Sequence, residues 1–232
     1  MCYYSSLKEK LPLSLHLKNH QNFKGDMIND NSNDSNTLRQ RIEAMPEDSI
    51  IFRSDFPEYH AEFVGATLSE LSVEGLLVKL AQGIYAKPIK SRFGVVLPSV
   101  DKVIQAIAAR DNAQVLPSGM TALNVLGLST QVPMNYTYLT TGSERTLKLA
   151  NCHIILKRGV PKNFCYETHL VALLVQALRT LRQKNVTNEE LQTISSLISK
   201  EPDKESLRRD VDRMPAWMKR IVKPILKTEL RQ

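Results

Sequence analysis

The sequence predicts an α+β fold, a helix-and-hairpin unit followed by a mixed domain, and three observations predict it. Residues 61–86 change from a helical period to a period of two at a single glycine, Gly75. Residues 135–158 alternate apolar and polar side chains in three short runs. From Glu167 onward the apolar positions recur at helical spacing.

In chain order, Asn29–Asn36 is a run of Asn, Asp and Ser, too polar to bury anything, so residues 1–36 read as a disordered tail and Met27 offers a second start. Ser35 or Asn36 caps a helix to about Met45, with Leu38 and Ile42 inward. Pro46-Glu47-Asp48 breaks it, and Ser49–Phe52 is a first strand. Ser54 can cap a short helix, with Asp55 near its positive end and Pro57 in its first turn. A second helix spans about Ala61 to Glu74; Val64, Leu68 and Leu71 mark its core face, and Gly75 ends it in the left-handed conformation. Leu76–Leu80 and Ile84–Ala86 form a hairpin across Ala81-Gln82-Gly83, closed by Pro88 and paired with the first strand. This order is that of a winged helix-turn-helix over residues 37–90, a module that usually reads duplex DNA.

Residues 91–232 read as a mixed α+β domain with a small antiparallel sheet and a C-terminal helical part. Lys87–Pro98 is a connector, Val100–Ala109 a helix with Val103, Ile104 and Ile107 inward, and Ser118 caps a helix to Gly127. Asn135–Thr141, Arg145–Asn151 and Cys152–Arg158 are strands. Leu170, Leu173, Leu174, Ala177 and Leu181 form one helical stripe, Thr187 with Glu190 is a capping box, and Leu191, Ile194, Leu197 and Ile198 form the next stripe. Helices near Lys204–Arg213 and Pro215–Leu226 finish the chain.

Composition narrows the function classes. The 232 residues carry a net charge of +7, which permits a nucleic-acid partner. Residues 37–90 hold six basic and eight acidic side chains, so the excess lies beyond them: net +5 in 91–166 and +4 in 167–232. Phosphate neutralisation supplies much of DNA affinity, so this module alone is a weak electrostatic binder. Three cysteines (Cys2, Cys152 and Cys165) make no disulfide framework and fit a reducing cytoplasm. No apolar run approaches the ~20 residues of a membrane span, and the N-terminus lacks a signal-peptide core.

Catalytic signatures are missing: no Gly-x-Ser-x-Gly elbow, no phosphate-cradling glycine loop and no His-Glu-x-x-His, so neither an enzyme nor a cofactor is implied. Asp210 and Asp212 sit among arginines and read as surface ion pairs. Cys152-His153 and Cys165-x3-His169 have zinc-ligand types, but neighbours on a strand face opposite ways; buried cysteine and a helix-start histidine account for them, and no metal is expected.

The run Leu68-Ser-x-Leu-(three residues)-Gly75 through Gly83-Ile-Tyr85, with Ala122-Leu123-(three residues)-Gly127-Leu128 after it, resembles abortive-infection E antitoxins over residues 37–226. The resemblance implies a bacterial type IV toxin–antitoxin system: a winged helix that represses its own operon, and a C-terminal domain that counteracts a nucleotidyltransferase-like toxin, directly or indirectly. A homodimer, or two molecules on inverted repeats, fits that role. Relatives commonly place Arg where this chain has Glu70. The outer face of the second helix is Glu62, Gly65, Ala66 and Ser69, with Glu70 beside it. Small residues admit base edges and Glu62 could accept from a cytosine amino group, but carboxylates repel phosphates. DNA contact therefore falls to Arg53, His60, Thr67, Ser69, Lys79, Gln82 and Lys87, with Lys90 and Arg92 reaching the backbone beyond. Lys219, Lys223 and Lys227, every fourth residue of the last helix, are either a toxin-facing, nucleic-acid or membrane-surface stripe or the solvated side of an amphipathic helix. Arg208, Arg209 and Arg213 carry the same two readings. The competing account of the whole chain is a protein-interaction module whose winged helix has lost DNA affinity.

Overall fold

The polar run at the start of the first helix offers a cap at almost every position, so the sequence does not single out its first residue. In the computed structural model, which describes residues 31–92 and 94–229, α1 spans Asn31–Ala44 rather than starting at Ser35 or Asn36. The tail expected over residues 1–30 lies outside the described residues. Leu38 and Ile42 are fully buried, as their spacing requires.

β1 (Ile50–Phe52) runs antiparallel to β3 (Ile84–Ala86), which pairs in turn with β2 (Val78–Ala81), giving a sheet of order β1-β3-β2. α2 (Ala61–Val73) lies on one face of it, burying Val64, Thr67, Leu68 and Leu71 against Ile51, Tyr85 and α1. Gly75 adopts φ 75° just past the helix, and Gly83 takes φ 69° at the hairpin turn. The helix expected after Ser54 is a single 3₁₀ turn, Arg53–Asp55. Pro57 disfavours helical backbone at Phe56, which sits at φ −124°, ψ 65°, and the Asp55 carboxylate turns back to accept the Phe52 N–H at 2.9 Å.

The stretch 87–98, expected to be a plain connector, contains a separate antiparallel hairpin of β4 (Ile89–Ser91) and β5 (Gly94–Val96). Then come α3 (Val100–Asp111), β6 (Val115–Pro117), α4 (Met120–Val125), β7 (Asn135–Thr140), β8 (Arg145–Leu149) and β9 (Cys152–Arg158). Ser99 caps α3 by accepting the Lys102 N–H at 3.2 Å. Ser118 does not cap α4: its N–H joins the sheet, donating to Thr137, and Gly119 at φ 61°, ψ −139° makes the turn into the helix.

The α+β class holds, but the four-stranded sheet has order β6-β7-β9-β8 and its central pair is parallel. β9 inserts between β7 and β8, so only β8–β9 keeps the expected antiparallel sense; β6, which the sequence does not mark as a strand, joins β7 antiparallel. The link 141–144 passes over the end of β9, where Glu144 accepts the Arg158 N–H at 2.8 Å.

One cluster joins the two halves of the chain: Phe52, Leu80, Ile84 and Ala86 from the first sheet pack with Val103, Ile104 and Ile107 of α3 and with Tyr138, Leu147, Ile154 and Leu156 of the second. A third cluster surrounds α5 (His169–Leu181), which is buried from Leu170 through Leu178 rather than along one stripe. α4, α6 (Asn188–Lys200), α7 (Lys204–Arg213) and α8 (Ala216–Glu229) enclose it. Thr187 and Glu190 close the expected capping box on α6. Asp210 keeps an ion pair, with Arg213 at 3.4 Å, but it is fully buried rather than at the surface: it accepts the Thr168 N–H at 2.7 Å and the Thr168 hydroxyl at 2.9 Å, fixing the start of α5 to α7. Among the described residues no helix is long and apolar enough to cross a membrane.

Candidate nucleic-acid interface

Arg53 follows β1 directly, and its backbone N–H donates to Gly83 O at 3.1 Å. This bond ties the 3₁₀ turn to the tip of the β2–β3 hairpin. The Arg53 side chain then runs over α2 at Gly65, where a Cβ would lie 3.5 Å from Arg53 Cδ. The arginine stem thus lies close over the helix at Gly65. A guanidinium, the small-residue side of α2 and the hairpin turn converge on one exposed edge.

Around that edge His60 occupies the N-cap position of α2, and Gln82 is exposed in the hairpin turn. Lys79 is exposed on β2 and pairs with Tyr85 across the sheet, which puts it on the α2 side. Ser69 is exposed but shares a 3.1 Å hydrogen bond with the Tyr85 hydroxyl. Tyr85 is the residue sequence reasoning missed as a contact here, although it ends the Leu68–Tyr85 motif.

Two expected contacts are withdrawn. Thr67 is buried, and its hydroxyl donates to Phe63 O at 3.1 Å. Lys87 turns inward: its Nζ donates to Glu43 O and Met45 O, both at 2.6 Å, closing the C-terminal end of α1. Lys90 and Arg92 are exposed on the separate β4–β5 hairpin.

The acidic balance of the N-terminal unit is partly neutralised within the fold. Arg39 bridges Glu43 and Glu74, and its guanidinium holds the Glu74 carboxyl below the ordinary range. Arg41 pairs with Glu58, and Lys102, from α3, with Asp48 at 2.5 Å. Glu62 and Glu70, both exposed on α2, have no ion-pair partner among the described residues. Arg110 stacks over Phe52, 4.3 Å from the ring centroid, and with Arg145 pairs Asp111, so these cations brace the junction of the two sheets.

The C-terminal cations separate into two groups. Arg209 and Arg213 both engage Glu167, at 2.8 and 3.0 Å, and the Arg209 hydrogen bond depresses the Glu167 pKa. They clamp α7 to the segment before α5 instead of facing outward unpaired. Lys219 and Lys223 flank Asp212, whose pKa Lys223 lowers at 2.7 Å. Lys227 and Arg220 have no such partner among the described residues. With Met214, Ala216 and Pro224 these four cations of α8 line an open concavity of about 790 Å³.

Cys152 donates its thiol to Leu149 O and Cys165 to Lys162 O, each at 3.1 Å. Among the described residues no group of three or more His, Cys, Asp or Glu is placed to hold a metal ion.

Residues 37–207 match the profile of a family described as a family of unknown function, DUF6088. No curated protein matches the chain. Among solved structures, the crystal structure of the RV2827C protein from Mycobacterium tuberculosis is similar at 16% identity and a TM-score of 0.47, over 84% of this chain and 76% of that one.

Proposed function

We propose that this chain, which belongs to the family of unknown function DUF6088, is a non-enzymatic regulator that binds duplex DNA at its own operator, and serves as the antitoxin of a bacterial cytoplasmic type IV toxin–antitoxin system. The observation that carries the DNA part is the convergence of Arg53, the Gly65–Ser69 side of α2 and the Gln82–Gly83 turn. A helix with small exposed side chains can approach base edges, while a guanidinium at its flank serves a phosphate or a guanine. His60, Ser69, Lys79 and Gln82 complete the surface. The antitoxin part rests on the sequence resemblance in residues 68–85 and 122–128, and the α8 face of Arg220, Lys219, Lys223 and Lys227 is the surface on which a toxin would be met.

One observation favours the competing account. Glu62 and Glu70 stand exposed on α2 with no ion-pair partner among the described residues, where each opposes a phosphate. If they dominate, the chain is a protein-interaction module. A reporter driven by the chain's own upstream region separates the two. The regulator represses it, and Arg53→Ala releases it; unaltered expression in both cases favours the interaction module. Co-expression with a neighbouring nucleotidyltransferase-like reading frame tests the antitoxin role: growth is restored by the wild-type chain, and unrelieved toxicity argues against it.

A further inference from the structure

From Met214 to Thr228 the chain carries four cations, Lys219, Arg220, Lys223 and Lys227, and no carboxylate. Met218, Val222 and Leu226 root α8 in the core, and the four cations line one open concavity on its outer side. Lys219, Lys223 and Lys227 recur every fourth residue, which sets their backbone anchors about 6 Å apart along the helix. Met214, Ala216 and Pro224 give the same concavity an apolar floor. Glu229, the next carboxylate in the chain, accepts the Ser195 hydroxyl of α6 at 2.6 Å. Among the described residues one carboxylate reaches these lysines: Asp212 accepts from Lys223 at 2.7 Å and lies 3.9 Å from Lys219. Asp212 and Lys223 are each close to half exposed, so their pair contributes little to the fold. Arg220 and Lys227 pair with no carboxylate among the described residues.

We propose that the α8 concavity docks an acidic protein segment of the toxin, whose carboxylates reach Arg220 and Lys227 and take Lys223 over from Asp212. The inference rests on the antitoxin reading above and commits it to direct contact. Three observations favour a protein segment over a nucleic acid at this face. Asp212 shows that Lys219 and Lys223 are spaced to seat a carboxylate. The floor of Met214, Ala216 and Pro224 suits the apolar side chains that accompany carboxylates on a protein and that a phosphate backbone lacks. No aromatic side chain among the described residues lines the concavity for a base to stack on. Asp212 is then a built-in competitor: it holds Lys223 until a partner presents several carboxylates at once.

The test uses the full chain and the purified product of the neighbouring nucleotidyltransferase-like reading frame. Isothermal titration at low salt compares wild type, Lys223→Glu/Lys227→Glu, Lys223→Arg/Lys227→Arg and Asp212→Asn, with growth rescue by each in parallel and unfolding midpoints to show that each is folded. The charge-reversed pair binds at least about tenfold more weakly and no longer restores growth, while the arginine pair behaves as wild type. Asp212→Asn binds about two- to fivefold more tightly, the worth of the exposed pair that no longer competes. That variant deletes no cation, so it keeps the test decisive if charge reversal lowers the midpoint. An Asp212→Asn affinity equal to that of wild type overturns the exchange. Rescue by wild type without a complex, or a complex that charge reversal leaves intact, refutes the docking and leaves the antitoxin reading standing. Failure of wild type to restore growth defeats the antitoxin reading and the docking with it. A charge-reversed pair that binds the toxin as wild type does, but the upstream duplex with a smaller salt slope, makes this face a phosphate surface and also overturns the proposal.

Discussion

Replacing Lys87 by Met separates two roles for one cation. The sequence places Lys87 at the foot of the hairpin, where a phosphate contact is expected. In the fold its ammonium instead donates to Glu43 O and Met45 O at 2.6 Å, with Ile42 O at 3.5 Å. The last carbonyls of a helix have no partner within it, and a cation there also meets the negative end of the helix dipole. Met keeps the length of the stem and removes only the charge and its donors. Two hydrogen bonds to an ionised donor would cost several kcal/mol if buried, but the Glu43 and Met45 carbonyls lie near solvent and rehydrate. The net loss is about 2 kcal/mol. In a chain of this size that lowers the unfolding midpoint by roughly 4–8 °C. Far-UV circular dichroism on heating reads the midpoint, and anisotropy with the upstream duplex, well below it, reads the salt slope. The account predicts a lower midpoint with an unchanged slope. An unchanged midpoint with a slope reduced by about 0.9 would make Lys87 a phosphate contact and refute the reasoning.

Three further outcomes follow from the same contacts. Arg53→Ala leaves the unfolding midpoint in place, because the Gly83 bond uses the Arg53 backbone, but it weakens duplex binding and lowers the salt slope by about 0.9, read by anisotropy. Asp210→Ala strands the buried Thr168 N–H and hydroxyl and destabilises the chain by about 3 kcal/mol, measured by urea unfolding. Burial, with the Asp101 carboxylate nearby, pushes the Tyr138 phenol above its ordinary pKa. The unfolded chain therefore releases that proton first, and its contribution, complete below about pH 10, is lost as pH rises further. Tyr138→Phe should flatten this alkaline loss in a pH series of unfolding midpoints; an unaltered series removes Tyr138 from the account.

What the sequence made legible is what local spacing controls. α2 was readable from Val64, Leu68 and Leu71 and from Gly75, because amphipathic period and a left-handed cap are both short-range. The Thr187–Glu190 box and the bounds of α7 were readable for the same reason. Partners distant in the chain were not. Alternation shows that residues 152–158 form a strand, but says nothing of its insertion, parallel, beside β7. Lys87 finds its carbonyls more than 40 residues upstream, and Asp210 finds Thr168 just as far back. Neither lysine nor aspartate carries a sequence mark that distinguishes these uses from a surface charge. The β4–β5 hairpin carries no clear alternation: Ile89 is half-buried, and Lys90, Ser91, Gly94, Val95 and Val96 are all exposed. The exposed positions of Arg53, Lys79 and Gln82 are legible from their places in a turn, a strand and a hairpin loop. Thr67 was misplaced because a threonine beside Leu68 can face either the core or the solvent edge of a helix.

Sequence-preferring duplex binding is read most directly by titration. The full chain is titrated against a fluorescent duplex from its own upstream region and against a scrambled duplex of equal length, across a salt series. The account predicts salt-sensitive binding with clear preference for the upstream duplex. Absence of binding to either duplex at low salt would contradict it, and would show that Glu62 and Glu70 govern the exposed face of α2.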